Sequence, residues 1–81
     1  MTHDEILQAV REVVTASLRR PVSDTQALVS SGLIDSLMIL RLIGEIEKKL
    51  NVRIQTSAIQ PDDFDTLELA AETVERTAAI E

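Results

Sequence analysis

The sequence contains no cysteine and a single histidine, His3. Without cysteine the chain has no disulfide, no zinc–thiolate site and no thiol nucleophile of its own. One histidine near the N-terminus provides neither a pair of metal ligands nor a base beside a nucleophile, and the chain has no glycine-rich phosphate loop. We therefore expect no catalytic residues, no metal site and a protein that is not an enzyme.

Basic residues and long apolar runs are also scarce. Eight Lys and Arg stand against fourteen Asp and Glu, for a formal net charge of −6, so nucleic-acid phosphates would be repelled. The longest apolar run covers residues 37–40, which is too short to span a membrane, and no secretion signal is visible. We predict a cytoplasmic protein that binds neither nucleic acid nor membranes.

Aromatic residues, glycine and proline are few. Phe64 is the only aromatic residue, and there are two glycines and two prolines. Hydrophobic residues still make up 44% of the chain, so the core must be aliphatic, and the rarity of turn-forming residues favours long helices. A length of 81 residues allows one small domain, residues 1–81. The composition predicts an all-α fold.

The apolar spacing predicts a first helix that starts near Thr2. Thr2 and Glu5 have the spacing of a capping box, and Pro21 prevents the helix from continuing. Its predicted buried stripe consists of Ile6, Val10, Val13, Val14 and Ser17, with Leu7 and Leu18 at the edge. Residues 21–35 have no sustained period and predict a long loop that packs over the core.

A second helix is predicted from Ser36 to about Asn51. Asp35 is a good N-cap, so Ser36 would be the first helical residue. Its predicted buried stripe consists of Ile39, Leu42, Ile43, Ile46 and Leu50. On its surface, Glu45 and Lys49 have the spacing of an intrahelical ion pair.

The remaining residues predict a short connector, a short helical segment and a last helix. Residues 52–54 suit an extended connector, and residues 57–64, which include Pro61, suit one helical turn or a short third helix. Asp65 and Glu68 again have capping-box spacing before a last helix. Its predicted buried stripe consists of Leu67, Ala70, Ala71, Val74 and Ala78.

Ser36 is the position that suggests a function. A serine at a helix start is ordinarily the cap, but here Asp35 already fills that role. The Ser36 hydroxyl would then point outward, beside free backbone N–H groups. A phosphate attached there would lie near the positive end of the helix dipole.

The segment Gly32-Leu33-Ile34-Asp35-Ser36-Leu37, opening an amphipathic helix in an acidic chain, resembles the acyl carrier protein family. The resemblance covers essentially the whole chain. It implies a four-helix bundle of three main helices plus one short helix, with a long loop between helices 1 and 2. It also implies a 4′-phosphopantetheine arm on Ser36, installed from coenzyme A by a phosphopantetheinyl transferase. The thiol of that arm would hold an acyl or aminoacyl group as a thioester.

Three residues of the second helix are candidates for docking partner enzymes. Leu37 and Leu40 lie off the buried stripe, with Arg41 beside them. Both leucines also suit packing under the long loop and the short helix. The resemblance adds that fatty-acid-synthesis carriers commonly have acidic residues where Met38 and Arg41 stand, which disfavours docking to the basic patches of those enzymes.

The segment with Ile59, Pro61, Phe64 and Thr66 resembles free-standing aminoacyl and peptidyl carrier proteins. This resemblance implies cargo from an adenylating ligase and delivery to tailoring enzymes of nonribosomal peptide-type or amino acid metabolism. Fatty acyl or polyketide cargo, supplied by an acyltransferase and used by condensing enzymes, is the alternative. An unmodified helical interaction module is the other alternative. We expect a monomer.

Overall fold

The structure of the protein is a computed structural model, and it describes residues 1–80. Within these residues it has three α-helices, α1 (His3–Leu18), α2 (Ser36–Leu50) and α3 (Leu67–Thr77). Two short strands follow α2 and α3, β1 (Val52–Ile54) and β2 (Ala78–Ile80). Helix α1 packs against both α2 and α3. Residues 19–35 form a long loop between α1 and α2, which starts two residues earlier than the predicted loop of residues 21–35.

Helix α1 begins where the sequence predicted, but it ends at Leu18, before the limit that Pro21 sets. The Thr2 hydroxyl accepts from the Glu5 N–H at 3.2 Å, and the Glu5 carboxylate accepts from the Thr2 N–H at 3.2 Å, so the predicted capping box is confirmed. At the other end Arg19 adopts a left-handed conformation with φ of 58°. Ser17, predicted on the buried stripe, is exposed, because it lines an open groove between α1 and α2 instead of facing the core.

The core is aliphatic, as the composition predicts, with Phe64 as its only aromatic side chain. Phe64 is 1% exposed and lies beside α3. The other buried side chains include Ile6, Leu7, Val10, Val14, Leu28, Ile34, Ile39, Leu42, Ile43, Ile46, Leu67, Ala70, Ala71 and Val74. The helices contribute these side chains at helical spacing. Leu28 and Ile34 come from the long loop, and their burial fixes the loop to the core at both positions.

The two-stranded sheet is absent from the sequence-based prediction. Strands β1 and β2 pair antiparallel, with Val52 opposite Ile80 and Ile54 opposite Ala78. The sequence placed Ala78 on the last helical stripe, but α3 ends at Thr77 and Ala78 is extended. The carboxylate of Glu47 in α2 accepts from the Ile54 N–H at 2.8 Å. The all-α prediction is therefore right for the helices and incomplete at this sheet, because small residues such as Ala78 fit either structure.

The segment between β1 and α3 also differs from its prediction. In place of one short helix, the chain makes two 3₁₀ turns, Thr56–Ala58 and Pro61–Phe64. The predicted capping box of Asp65 and Glu68 is wrong, because Thr66 caps α3 by accepting from the Leu69 N–H at 3.1 Å. Asp65 is thereby free to bond elsewhere.

Candidate functional site

The N-terminus of α2 is built by Asp35, as the sequence predicted. Asp35 has extended backbone angles, and its side chain accepts from the Met38 N–H at 2.9 Å. Its carbonyl oxygen accepts the first helical bond, from the Ile39 N–H at 2.9 Å. Because one side chain fills the cap, the next residue is not needed for it.

That next residue is Ser36, the first residue of α2, and its side chain is exposed. No hydrogen bond holds its hydroxyl to another group of residues 1–80. The N–H groups of the first helical turn concentrate positive potential beside it. The hydroxyl is therefore accessible to an external reagent, in a place that favours a negatively charged substituent.

A cleft of about 250 Å³ opens beside Ser36. Its walls come from α2 and from the 3₁₀ turns, and they include Ile39, Leu40, Ile43, Ile59 and Pro61. The walls are mostly apolar, with Thr56 and Gln60 as polar members. A flexible chain attached at Ser36 would thus find an apolar surface next to its point of attachment.

The predicted docking residues lie on the surface next to Ser36. Leu37 is 73% exposed and Leu40 is 56% exposed, and Leu40 also forms part of the cleft wall. Arg41 is exposed and lines a larger groove of about 660 Å³ between α1 and α2. The structure thus brings Leu37, Leu40 and Arg41 together around the start of α2.

The charges of α2 are paired differently from the prediction. Lys49 bonds to Glu12 of α1 at 2.8 Å, and this bond is the main cause of the lowered pKa of Glu12. Glu45 instead lies 3.9 Å from Lys48, so the predicted pair of Glu45 and Lys49 is wrong. In the part of the chain that the structure describes, Arg41 has no ion-pair partner.

The loop before Ser36 is held by a residue that the sequence-based prediction missed. The Asp65 carboxylate accepts from the N–H groups of Leu28, Val29 and Ser30 at 3.2, 2.9 and 2.9 Å. The pKa of Asp65 is lowered, and the largest cause is the hydrogen bond from the Ser30 N–H. Nothing in the local sequence marks this contact, because the partners are more than thirty residues apart.

Comparison with known protein families gives one result that bears on this site. The model of the family described as "Phosphopantetheine attachment site" matches residues 4–74. The matched range includes all of α2 and the cleft beside it. No match to the chain was found among curated proteins.

Proposed function

The chain belongs to the phosphopantetheine attachment site family, and on this premise we propose that the Ser36 hydroxyl carries the 4′-phosphopantetheine group. The protein is a phosphopantetheine-bearing carrier, a class of domain that is generally not catalytic itself. The observation that supports Ser36 is its exposed hydroxyl at the start of α2, beside a cap already completed by Asp35. We propose that residues 1–81 act as one carrier domain.

The surroundings of Ser36 fit this group. A phosphodiester on Ser36 would place its negative charge by the N–H groups of the first turn of α2. The apolar cleft walls, including Ile39, Leu40 and Ile59, would contact the chain that follows the phosphate. When bound, the group supplies a terminal thiol that holds cargo as a thioester, in a chain that has no cysteine.

In the proposed attachment, the Ser36 oxygen attacks the β-phosphate of coenzyme A. The bond from Oγ to that phosphorus forms, and the bond from the phosphorus to the bridging oxygen breaks, so adenosine bisphosphate leaves. The hydroxyl proton passes to a base of the phosphopantetheinyl transferase, which also holds magnesium. The contribution of this chain is to present the hydroxyl, since no base among residues 1–80 bonds to it.

We propose that partner enzymes dock on Leu37, Leu40 and Arg41. The two leucines together expose apolar surface next to the attachment residue. Arg41 lies one helical turn beyond Leu37 and has no ion pair within residues 1–80, so it is available to an acidic side chain of a partner. An apolar recess flanked by a carboxylate is the partner surface that complements these three side chains.

For the cargo, we propose an amino acid or a peptide in nonribosomal peptide-type or amino acid-tailoring metabolism. Met38 and Arg41 in the first turns of α2 support this choice, since they give that surface no acidic residue. An adenylating ligase would load the arm, and tailoring enzymes would receive the cargo. Fatty acyl or polyketide cargo, with an acyltransferase and condensing enzymes, is the alternative. A cytoplasmic location and a monomeric state remain predictions.

Attachment is tested by incubating the purified protein with coenzyme A, magnesium and a broad-specificity phosphopantetheinyl transferase. We expect the intact mass of the wild type to increase by one phosphopantetheinyl group. Ser36→Ala should show no increase, while Ser31→Ala, which changes another exposed serine of the preceding loop, should still be modified. Circular dichroism of both variants serves as the control for folding.

A wild type that gains no mass, or a Ser36→Ala protein that still gains it, would contradict the assignment of Ser36. An unfolded Ser36→Ala protein would show that this serine has a structural role instead. The cargo is then tested by offering the modified protein amino acids, ATP and an adenylating enzyme encoded beside it. Loading of an acyl chain and of no amino acid would favour the alternative cargo.

A further inference from the structure

We propose that Asp65 is a positioning residue for the modification of Ser36, because its carboxylate fixes the loop that leads into α2. This inference rests on the proposed function, since it concerns the presentation of Ser36 to the transferase. It concerns a residue that lies outside the docking surface and outside the cleft.

Most contacts of Asp65 with the loop are made by its carboxylate. Oδ1 accepts three successive backbone N–H groups, and the Ser30 hydroxyl also donates to it at 3.1 Å. The carbonyl oxygen of Asp65 accepts from the Leu28 N–H at 2.7 Å. An ionised acceptor that receives several N–H groups makes stronger bonds than a neutral one. The carboxylate therefore orders residues 28–30 as a unit.

The order of residues 28–30 continues to the start of α2. The Ile34 N–H donates to the Leu28 carbonyl at 3.0 Å, and the Gly32 N–H donates to the Val29 carbonyl at 3.0 Å. Gly32 has φ of 84°, a left-handed conformation that glycine adopts without strain. Ile34 is 2% exposed and directly precedes the Asp35 cap. A continuous set of bonds and packed side chains thus connects Asp65 to Ser36.

The helices do not depend on the Asp65 side chain. Thr66 caps α3 and Asp35 caps α2, while Asp65 belongs to neither helix. Leu28 and Ile34 are also held in the core by apolar packing, to which the carboxylate does not contribute. Removal of the carboxylate should therefore loosen the loop and leave the helices folded.

The proposal is tested with Asp65→Ala, Asp65→Asn and the control Asp62→Ala. Asp62 is an exposed acid three residues earlier, so its replacement removes the same charge from the same segment. With a broad-specificity phosphopantetheinyl transferase and coenzyme A, kcat/KM for Asp65→Ala should fall by about tenfold or more, because charged hydrogen bonds are lost. Asp65→Asn should recover part of the rate, since its Oδ1 still accepts the N–H groups but without the negative charge. Asp62→Ala should match the wild type.

Amide hydrogen exchange separates a loosened loop from general unfolding. In Asp65→Ala, the N–H groups of Val29 and Ser30 should exchange at least about tenfold faster, while those of Val10 and Ile46 keep their protection. Should Asp65→Ala not fold, Ser30→Ala removes the hydroxyl bond from the loop side. That variant should be modified severalfold more slowly than the wild type.

Modification of a folded Asp65→Ala protein at the wild-type rate would overturn the proposal, as would an equal loss of rate in Asp62→Ala. A folded Asp65→Asn protein as slow as Asp65→Ala would also overturn it. A wild type that accepts no phosphopantetheine would refute the proposed function instead. In that case unchanged exchange at Val29 and Ser30 in Asp65→Ala would refute the anchoring of the loop independently.

Discussion

His3 shows how one residue connects two parts of the chain that lie far apart in sequence. Its Nδ1 lies 3.1 Å from Oε1 of Glu75, and its Nε2 lies 3.3 Å from Oε2 of Glu68. Both carboxylates belong to α3, so the first residue of α1 bridges to the last helix. These contacts raise the pKa of His3, and the hydrogen bond with Glu75 is the largest cause. The sequence alone placed His3 near the N-terminus and indicated neither of these contacts.

A raised pKa of His3 predicts stability that declines as the pH rises. The protonated ring binds both carboxylates, so its contribution is complete below the pKa of about 6.5 in the unfolded chain. It is lost as the pH passes through the higher value in the folded protein. We expect the urea midpoint of the wild type to fall across this range relative to His3→Gln. Urea midpoints that change with pH in the same way in both proteins would contradict this link between His3 protonation and stability.

At the scale of the element, α2 has two faces with different roles. Leu42 is 1% exposed in the core, whereas Leu40 is 56% exposed beside the proposed arm. The same residue type on one helix therefore serves stability on one face and, in the proposed function, partner contact on the other. Scattered exposed leucines are common. Leu40 is proposed as a partner contact because it lines the same cleft as Ser36.

The two faces predict opposite results for matched leucine substitutions. Leu42→Ala should lower the free energy of unfolding by about 2–5 kcal/mol, because it removes buried methyl groups and leaves a cavity. Leu40→Ala should change that free energy by less than about 0.5 kcal/mol, while slowing transfer from the loaded protein to its partner enzyme. Urea unfolding and a transfer assay measure the two effects. A free energy of unfolding that is unchanged in Leu42→Ala, or clearly lowered in Leu40→Ala, would contradict this assignment of the faces.

The element boundaries that the sequence predicted well are those set by local chemistry. The Thr2 and Glu5 capping box and the Asp35 cap each depend on residues within one turn, and the structure confirms them. The pairing of β1 with β2 and the contact of Asp65 with the loop depend on residues that are distant in sequence. The spacing of apolar residues along the chain carries no information on such contacts, so the sequence-based prediction missed the sheet and the Asp65 contact. The burial of Ser17 was mispredicted for a similar reason, because the spacing of apolar residues in α1 does not show that an open groove separates α1 from α2 at that position.

At the scale of the whole molecule, a small aliphatic core supports the helix whose first residue is the exposed Ser36. The chain has a net charge of −6, yet the first turn of α2 contains no acidic side chain and Arg41 follows in the next turn. Among the described residues, no helix is both long enough and apolar enough to cross a bilayer. The chain, a member of the phosphopantetheine attachment site family, thus has a negative net charge but no acidic side chain in the helical turn that starts at Ser36.

The most direct test of this account is to locate the added group in the wild-type protein after reaction with coenzyme A and a phosphopantetheinyl transferase. The peptide between Arg20 and Arg41 contains Ser23, Ser30, Ser31 and Ser36, so fragmentation mass spectrometry of that one peptide can distinguish them. The account predicts a single phosphopantetheinyl group on Ser36. A group on any of the other three serines, or an unmodified peptide, would contradict it.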